Sequence, residues 1–214
     1  MTLRVFYGGT FDPVHNGHLA IARAARDALD TKVRMMPAAD PPHRGVPGAT
    51  ADQRVAMLDL AVAGDPGLCV DRRELQREGR SYSIDTLRAL RVEYGADAPI
   101  ALLVGADSFV GLPTWYEWRA LFDHAHFVVA ERAGNPLDHA LPAELTEALA
   151  GRWCDVPDEL AQSPAGRVLR LHQPLHDESA ADIRQRIVEG RPWRELVPAT
   201  VADYIQLHHL YLNG

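Results

Sequence analysis

The stretch best equipped for chemistry is Gly8-Gly9-Thr10-Phe11-Asp12-Pro13-Val14-His15-Asn16-Gly17-His18, which joins a β-rich run to a helical pattern. Two glycines after a strand permit close backbone approach. Asn16 or Gly17 starts a helix whose unpaired N–H groups and dipole attract an anion. Phosphate is the natural guest, yet neither the dinucleotide pattern G-x-G-x-x-G nor the Walker pattern G-x-x-x-x-G-K-[ST] is present. What replaces them is a histidine pair. His15 and His18 are three residues apart and lie on one side of the helix entrance, where both donate to one polyphosphate. An isolated H-x-x-H pair more often packs or caps, and the preceding Gly-Gly-Thr turns the reading towards phosphate. A metal reading needs a third Asp, His or Cys ligand; His43 is the candidate, but its setting favours phosphate too.

Further candidates stand beyond this motif. Pro37 to Gly48 holds four prolines and two glycines, including Pro41-Pro42-His43-Arg44, and reads as a working loop. Asp107 follows a strand and a glycine, where it either reaches a ribose hydroxyl from the carboxyl edge of a sheet or caps a helix. Trp115, Tyr116 and Trp118 form an aromatic group, which by itself is more often core than ligand site. Ser179 fits a helix N-cap, and Arg184, about a turn and a half later, is placed to meet an anion.

These residues need a frame. Leu3–Tyr7, Lys32–Met36, Leu68–Asp71, Ile100–Val104, Phe127–Ala130 and Val168–Leu171 read as strands, and helical patterns fill most of the gaps. From Gly17 to Asp30 a polar stripe of Arg23, Arg26, Asp27 and Asp30 opposes Ile21, Ala25, Ala28 and Leu29. Thr50-Ala51-Asp52-Gln53 is a capping box opening a helix with Met57, Leu58 and Ala61 inward. Ser83 is expected to cap a third helix carrying Leu87, Leu90 and Tyr94, and Pro142–Ala150 looks helical. Alternation of this kind implies an α/β fold with a mostly parallel sheet.

The 214 residues, 47% apolar and 24% charged, have the balance of a globular protein. A chain of this length buries roughly 70% of its unfolded surface without disulfides or metal. With no repeat, low-complexity tract or long linker, a single domain over 1–214 is expected, its C-terminal helical part from about 178 to 214 packed on the rest. Lys plus Arg number 22 against 29 Asp plus Glu, a net charge of −7, which disfavours broad binding to nucleic acid or anionic membranes. Cys69 and Cys154 form no framework, and no leader or apolar run marks the chain for export or insertion. A cytoplasmic location is the expectation.

Gly-Thr-Phe-Asp-Pro-Val-His-Asn-Gly-His resembles the signature of the H-x-G-H nucleotidylyltransferases, and its spelling is similar to bacterial nicotinate-nucleotide adenylyltransferases. Ala38–Arg44 resembles that family's proline-histidine-lysine loop, with Arg44 where Lys is usual, and Ser81–Leu87 its pyridine-site helix. Gly105-Ala106-Asp107, Leu112–Trp115, Glu131-Arg132 and the ending from Val197 to Tyr211 follow in the family's order, so nearly the whole chain is covered.

The resemblance implies a Rossmann-like, doubly wound, mostly parallel sheet with helices on both faces. It also implies transfer of AMP from ATP to nicotinate mononucleotide in NAD biosynthesis, with Mg²⁺ held mainly by substrate phosphates. In that reading His15 and His18 are catalytic, and Gly8, Gly9, Thr10 and Phe11 line the same hollow. His43 and Arg44 close over the phosphates, Asp107 takes a ribose, Arg132 adenine, and Ser179 and Arg184 the triphosphate. Thr86, Trp115 and Tyr116 receive the acceptor, with backbone donors favouring nicotinate over the neutral amide. The partners are small molecules, and a homo-oligomer is left open. The late motif departs from the family pattern Ile-Ser-Ser-Thr-x-Ile-Arg at Glu178 and Ala181. Weaker ATP binding, or a Glu178 turned to solvent, is the expected consequence. Alternatives are a pantetheine-phosphate adenylyltransferase or cytidylyltransferase, a non-catalytic nucleotide-binding regulator, or a histidine metalloprotein.

Overall fold

The structure, a computed structural model, describes residues 2–39, 48–77, 79–131, 137, 141–174, 176 and 178–212. Seven strands, β1 (Arg4–Gly9), β2 (Val33–Pro37), β3 (Leu68–Val70), β4 (Ile100–Gly105), β5 (His126–Ala130), β6 (Trp153–Cys154) and β7 (Val168–Leu171), form one sheet in the order β3-β2-β1-β4-β5-β7-β6. Every pairing is parallel, with Phe6 opposite Arg34 on one side and Leu102 on the other. Among the described residues eight α-helices pack around it: α1 (Asn16–Leu29), α2 (Ala51–Val62), α3 (Ser83–Tyr94), α4 (Ala106–Val110), α5 (Leu121–His124), α6 (Ala143–Ala148), α7 (Ala180–Val188) and α8 (Ala199–Leu207).

Both sheet faces are covered, so the central strands are apolar throughout rather than alternating with polar residues. Val5, Tyr7, Ala101 and Leu103 face one core with Leu19, Met57, Ile183 and Val201; Phe6, Leu102 and Val104 face the other with Leu87, Leu90 and Leu145. The chain runs from β1 outward to β2 and β3, then crosses back to β4 on the other side. The carboxyl ends of β1 and β4 therefore flank the point where the winding reverses, the usual place for a ligand crevice in such sheets. Among the described residues no helix is long and apolar enough to cross a membrane.

The elements follow the sequence pattern with local corrections. The buried residues of α1 are Gly17, Leu19, Ala22 and Ala25, with Ile21 and Leu29 partly buried against the same core; of the expected stripe only Ala28 is exposed. A three-residue step lags the helical turn by about 60°, so the face has rotated away from the sheet by Ala28. Asp30 lies outside the helix as a left-handed C-cap at φ 44°. Thr50 and Gln53 make the expected reciprocal box, at 3.3 and 2.9 Å. Ser83 does not cap α3: Tyr82 holds the cap position without a side-chain bond, and Ser83 is the first helical residue. The two-residue edge strand β6 was too short to leave a periodicity in sequence.

Candidate active site

A cleft of about 680 Å³ opens over the carboxyl ends of β1 and β4. That is ample for a nucleotide-sized ligand. At its β1 end Gly8 is exposed and a side chain there would meet nothing within 4 Å, so its backbone faces the cleft bare. Gly9 is required for a different reason: a Cβ would lie 2.9 Å from Cζ of Phe11, whose ring folds back over it from a left-handed backbone at φ 51°. That ring meets Tyr7 and His18 edge-on, at 5.5 and 5.0 Å between centroids.

His15 and His18 flank the start of α1 with their rings stacked, centroids 3.6 Å apart. His18 Nδ1 accepts the backbone N–H of His15 at 3.3 Å. A neutral His18 therefore carries its proton on Nε2, at the opposite side of the ring. His15 is the N-cap residue of α1 and only 6% exposed. A Cβ on Gly17 would come within 3.2 Å of His15 Nδ1 and 3.3 Å of Glu178 Oε2, so a side chain there would require both to give by a few tenths of an ångström.

Behind the pair lies a buried junction that sequence reading passed over. The Asp12 carboxylate accepts the N–H groups of Gly48 and Ala49 at 2.8 and 3.1 Å and the hydroxyl of Tyr211 at 2.7 Å. Arg184 donates to the Asp12 carbonyl at 2.6 Å, with its Nη1 3.7 Å from the carboxylate. Burial, then the Asp12 charge, pushes the Tyr211 hydroxyl far above the ordinary tyrosine range, so it remains a donor. Arg54, buried on α2, ties the carbonyls of Thr10, Ala38 and Ala39 together at 2.8, 2.7 and 3.1 Å. The motif is thus fixed from α2, α7 and the C-terminal segment at once.

Beside the motif Ser179 caps α7, its hydroxyl accepting the Asp182 N–H at 3.2 Å, and Ala180, Ala181 and Arg184 line the cleft next to it. Glu178 is not turned to solvent. Its side chain is 19% exposed and faces the cleft, with Oε2 3.3 Å from His176 Nδ1. Asp107 is exposed on the first turn of α4 and lines the cleft from the β4 end; Gly105, not Asp107, holds the cap position.

The opposite end is built from residues 74 to 116. Trp115 and Tyr116 line it, Tyr116 with its ring 5.0 Å from that of Tyr82, whereas Trp118 is buried in the core. The aromatic group is therefore divided between ligand wall and core. Thr86 also lines the cleft but is 1% exposed, and its hydroxyl donates to Glu74 Oε1 at 2.8 Å while accepting from Arg77 at 3.2 Å. As drawn, its hydrogen points at Glu74 rather than at a ligand.

Gly8, Gly9, Thr10, Phe11, His15, His18, Thr86, Asp107, Trp115, Tyr116, Ser179 and Arg184 thus share one cleft. His43, Arg44 and Arg132 lie outside the described residues. Asp12, Arg54, Glu74, His176 and Tyr211 were not foreseen as part of this neighbourhood. Asp12 alone had a local signal, being an acid inside the motif; the others join it only through the fold.

The cytidylyltransferase-like family matches residues 6–186. A probable nicotinate-nucleotide adenylyltransferase of Stenotrophomonas maltophilia is 61% identical, with 99% of this chain and 97% of that protein aligned. One of the same description from Pseudomonas aeruginosa is 46% identical, over 96% and 95%. In fold the chain is similar to the solved Plasmodium falciparum nicotinic acid mononucleotide adenylyltransferase complexed with NaAD, at TM-score 0.75, 13% identity and 99% and 98% coverage.

Proposed function

The chain belongs to the nicotinate-nucleotide adenylyltransferases of the cytidylyltransferase-like family, and from that premise we propose how its cleft transfers AMP from ATP to nicotinate mononucleotide, giving nicotinate adenine dinucleotide and pyrophosphate. The acceptor 5′-phosphate is anionic near neutral pH, so it attacks the α-phosphorus without first losing a hydroxyl proton. Positioning and charge stabilisation then account for most of the rate. The observation that carries this reading is the stacked pair at the mouth of α1, with His18 held so that Nε2–H is its donor.

His15 and His18 donate to the α- and β-phosphates as charge builds on the bridging oxygen, while the open backbone at Gly8 and the residues Gly9, Thr10 and Phe11 line the phosphate hollow. Arg184 stands beside this motif, bonded to the Asp12 carbonyl, and the α7 N-terminus capped by Ser179 adds its dipole. Asp107 takes a ribose hydroxyl from the β4 edge. Trp115 and Tyr116 stack on or beside the pyridine ring, next to Thr86. Among the described residues no group of three or more His, Cys, Asp or Glu converges as a metal cage. Mg²⁺ arriving with ATP would be held mainly by phosphate oxygens and water, where it neutralises triphosphate charge. Purified protein given ATP, magnesium and nicotinate mononucleotide should release pyrophosphate; release no greater than that of a His18→Ala variant would overturn the assignment.

A further inference from the structure

One buried group at the acceptor end has no part in the chemistry above. Glu74 sits on the 3-10 turn Arg73–Gln76, 6% exposed, and lines the cleft with Thr86, Tyr82 and Trp115. A carboxyl buried where a pyridine carboxylate is to be received creates a charge conflict. Two carboxylates sharing a low-dielectric site repel, and such pairs retain a proton between them. The groups facing Glu74 are Thr86 from α3, Ser81 from the turn before it, Arg77 from beyond its own turn and Asp71 from the end of β3. Burial raises the Glu74 carboxyl above the ordinary carboxylate range. Hydrogen bonds from Thr86 and Ser81 and the Arg77 charge draw it part of the way back, and Asp71 adds to the rise.

Building on the adenylyl-transfer reading, we propose that Glu74 is a specificity-determining residue: it takes up a proton when the acceptor carries a pyridine carboxylate and stays ionised when the acceptor carries a carboxamide. The hydrogen-bond directions explain why. With Glu74 ionised, the Thr86 hydrogen lies on Glu74 and the Thr86 oxygen accepts from Arg77, so only lone-pair density faces the cleft. That suits an amide N–H and repels a carboxylate. With Glu74 protonated the direction reverses. Glu74 donates to Thr86 Oγ1, which still accepts from Arg77, and the Thr86 hydrogen turns to the acceptor carboxylate. The proton comes from solvent and returns to it when the acid leaves; no bond to carbon or phosphorus changes.

Titration calorimetry of the wild-type protein with nicotinate mononucleotide, and separately with nicotinamide mononucleotide, in two buffers of different ionisation enthalpy near neutral pH counts the protons taken up. The shared 5′-phosphate cancels in the difference. The acid should take up about one proton more than the amide, and its affinity relative to the amide should fall by up to about tenfold per pH unit above the free Glu74 titration. Glu74→Gln, whose amide donates to Thr86 at every pH, should abolish both the extra proton and the slope, and Thr86→Val should uncouple uptake from binding. Equal uptake for acid and amide in the wild type would overturn the proposal without any variant having to fold, as would undiminished uptake in Glu74→Gln. Failure of nicotinate mononucleotide to support pyrophosphate release is a separate result, and it would overturn the adenylyl-transfer reading on which this one rests.

Discussion

In the proposed assignment the two ends of the cleft solve the recognition of an anion in opposite ways. At the phosphate end bare backbone, a helix start and two stacked imidazoles come from residues 8 to 18. They are held rigid from behind by Asp12, which collects donors from Gly48, Ala49 and Tyr211. At the acceptor end the wall is made of side chains spread over residues 74 to 116: half-exposed aromatics and a buried carboxyl bonded to Thr86. A ligand whose charge never varies is met by fixed donors that need no adjustment on binding. On the proposal made for Glu74, an acceptor that must be told from its neutral analogue is met by a group whose own charge adjusts.

The sharpest way to break this contrast is at its scaffold. Asp12→Ala strands two backbone N–H groups and a buried hydroxyl and leaves Arg184 without its carboxylate; it should cost on the order of 3–5 kcal/mol in urea unfolding. A cost below about 1 kcal/mol would mean that the phosphate end is not braced by Asp12. Next comes His18→Ala. Its pyrophosphate release should fall about 100- to 1,000-fold, roughly 2.7–4 kcal/mol of transition-state stabilisation, with the unfolding midpoint little changed. A parallel fall in rate and stability would make His18 part of the scaffold instead. Tyr211→Phe keeps the ring but removes one hydrogen bond to a charged group, for about 1.5–3 kcal/mol in the same denaturation assay.

The smallest effect lies at the other end and concerns pH. Glu74 holds its proton to higher pH when folded than when unfolded, so the native state binds more protons between the two titrations and stability falls as pH rises through that window. Below the ordinary carboxylate range the penalty is absent. Glu74→Gln should flatten this tilt in a series of thermal melts, relative to wild type, and an unchanged tilt would show that Glu74 is not its source.

Much of this was legible in the sequence because it is local. The strand, glycines and histidines of the phosphate end are consecutive, and a parallel sheet buried on both faces writes its strands as apolar runs, so β1, β4, β5 and β7 stood out. Glu74 did not: one acid among Arg72, Arg73 and Leu75 carries no mark of burial until β3 and α3 enclose it. Of the two expectations for Glu178, weaker ATP binding or a side chain turned to solvent, the second does not hold: it faces the cleft, and its direction could not be read because the face of a residue next to a helix cap depends on what α7 packs against. The capping role of Ser83 failed for a similar reason, since a serine beside the first turn reads alike on either side of the boundary.

The bond between Asp12 and Tyr211 joins residues 199 positions apart. A chain growing from its N-terminus therefore displays both imidazoles well before the residue that braces them from behind is made. Nascent or proteolytically clipped molecules lacking Tyr211 would carry the recognisable signature without a firm hold on nucleotide.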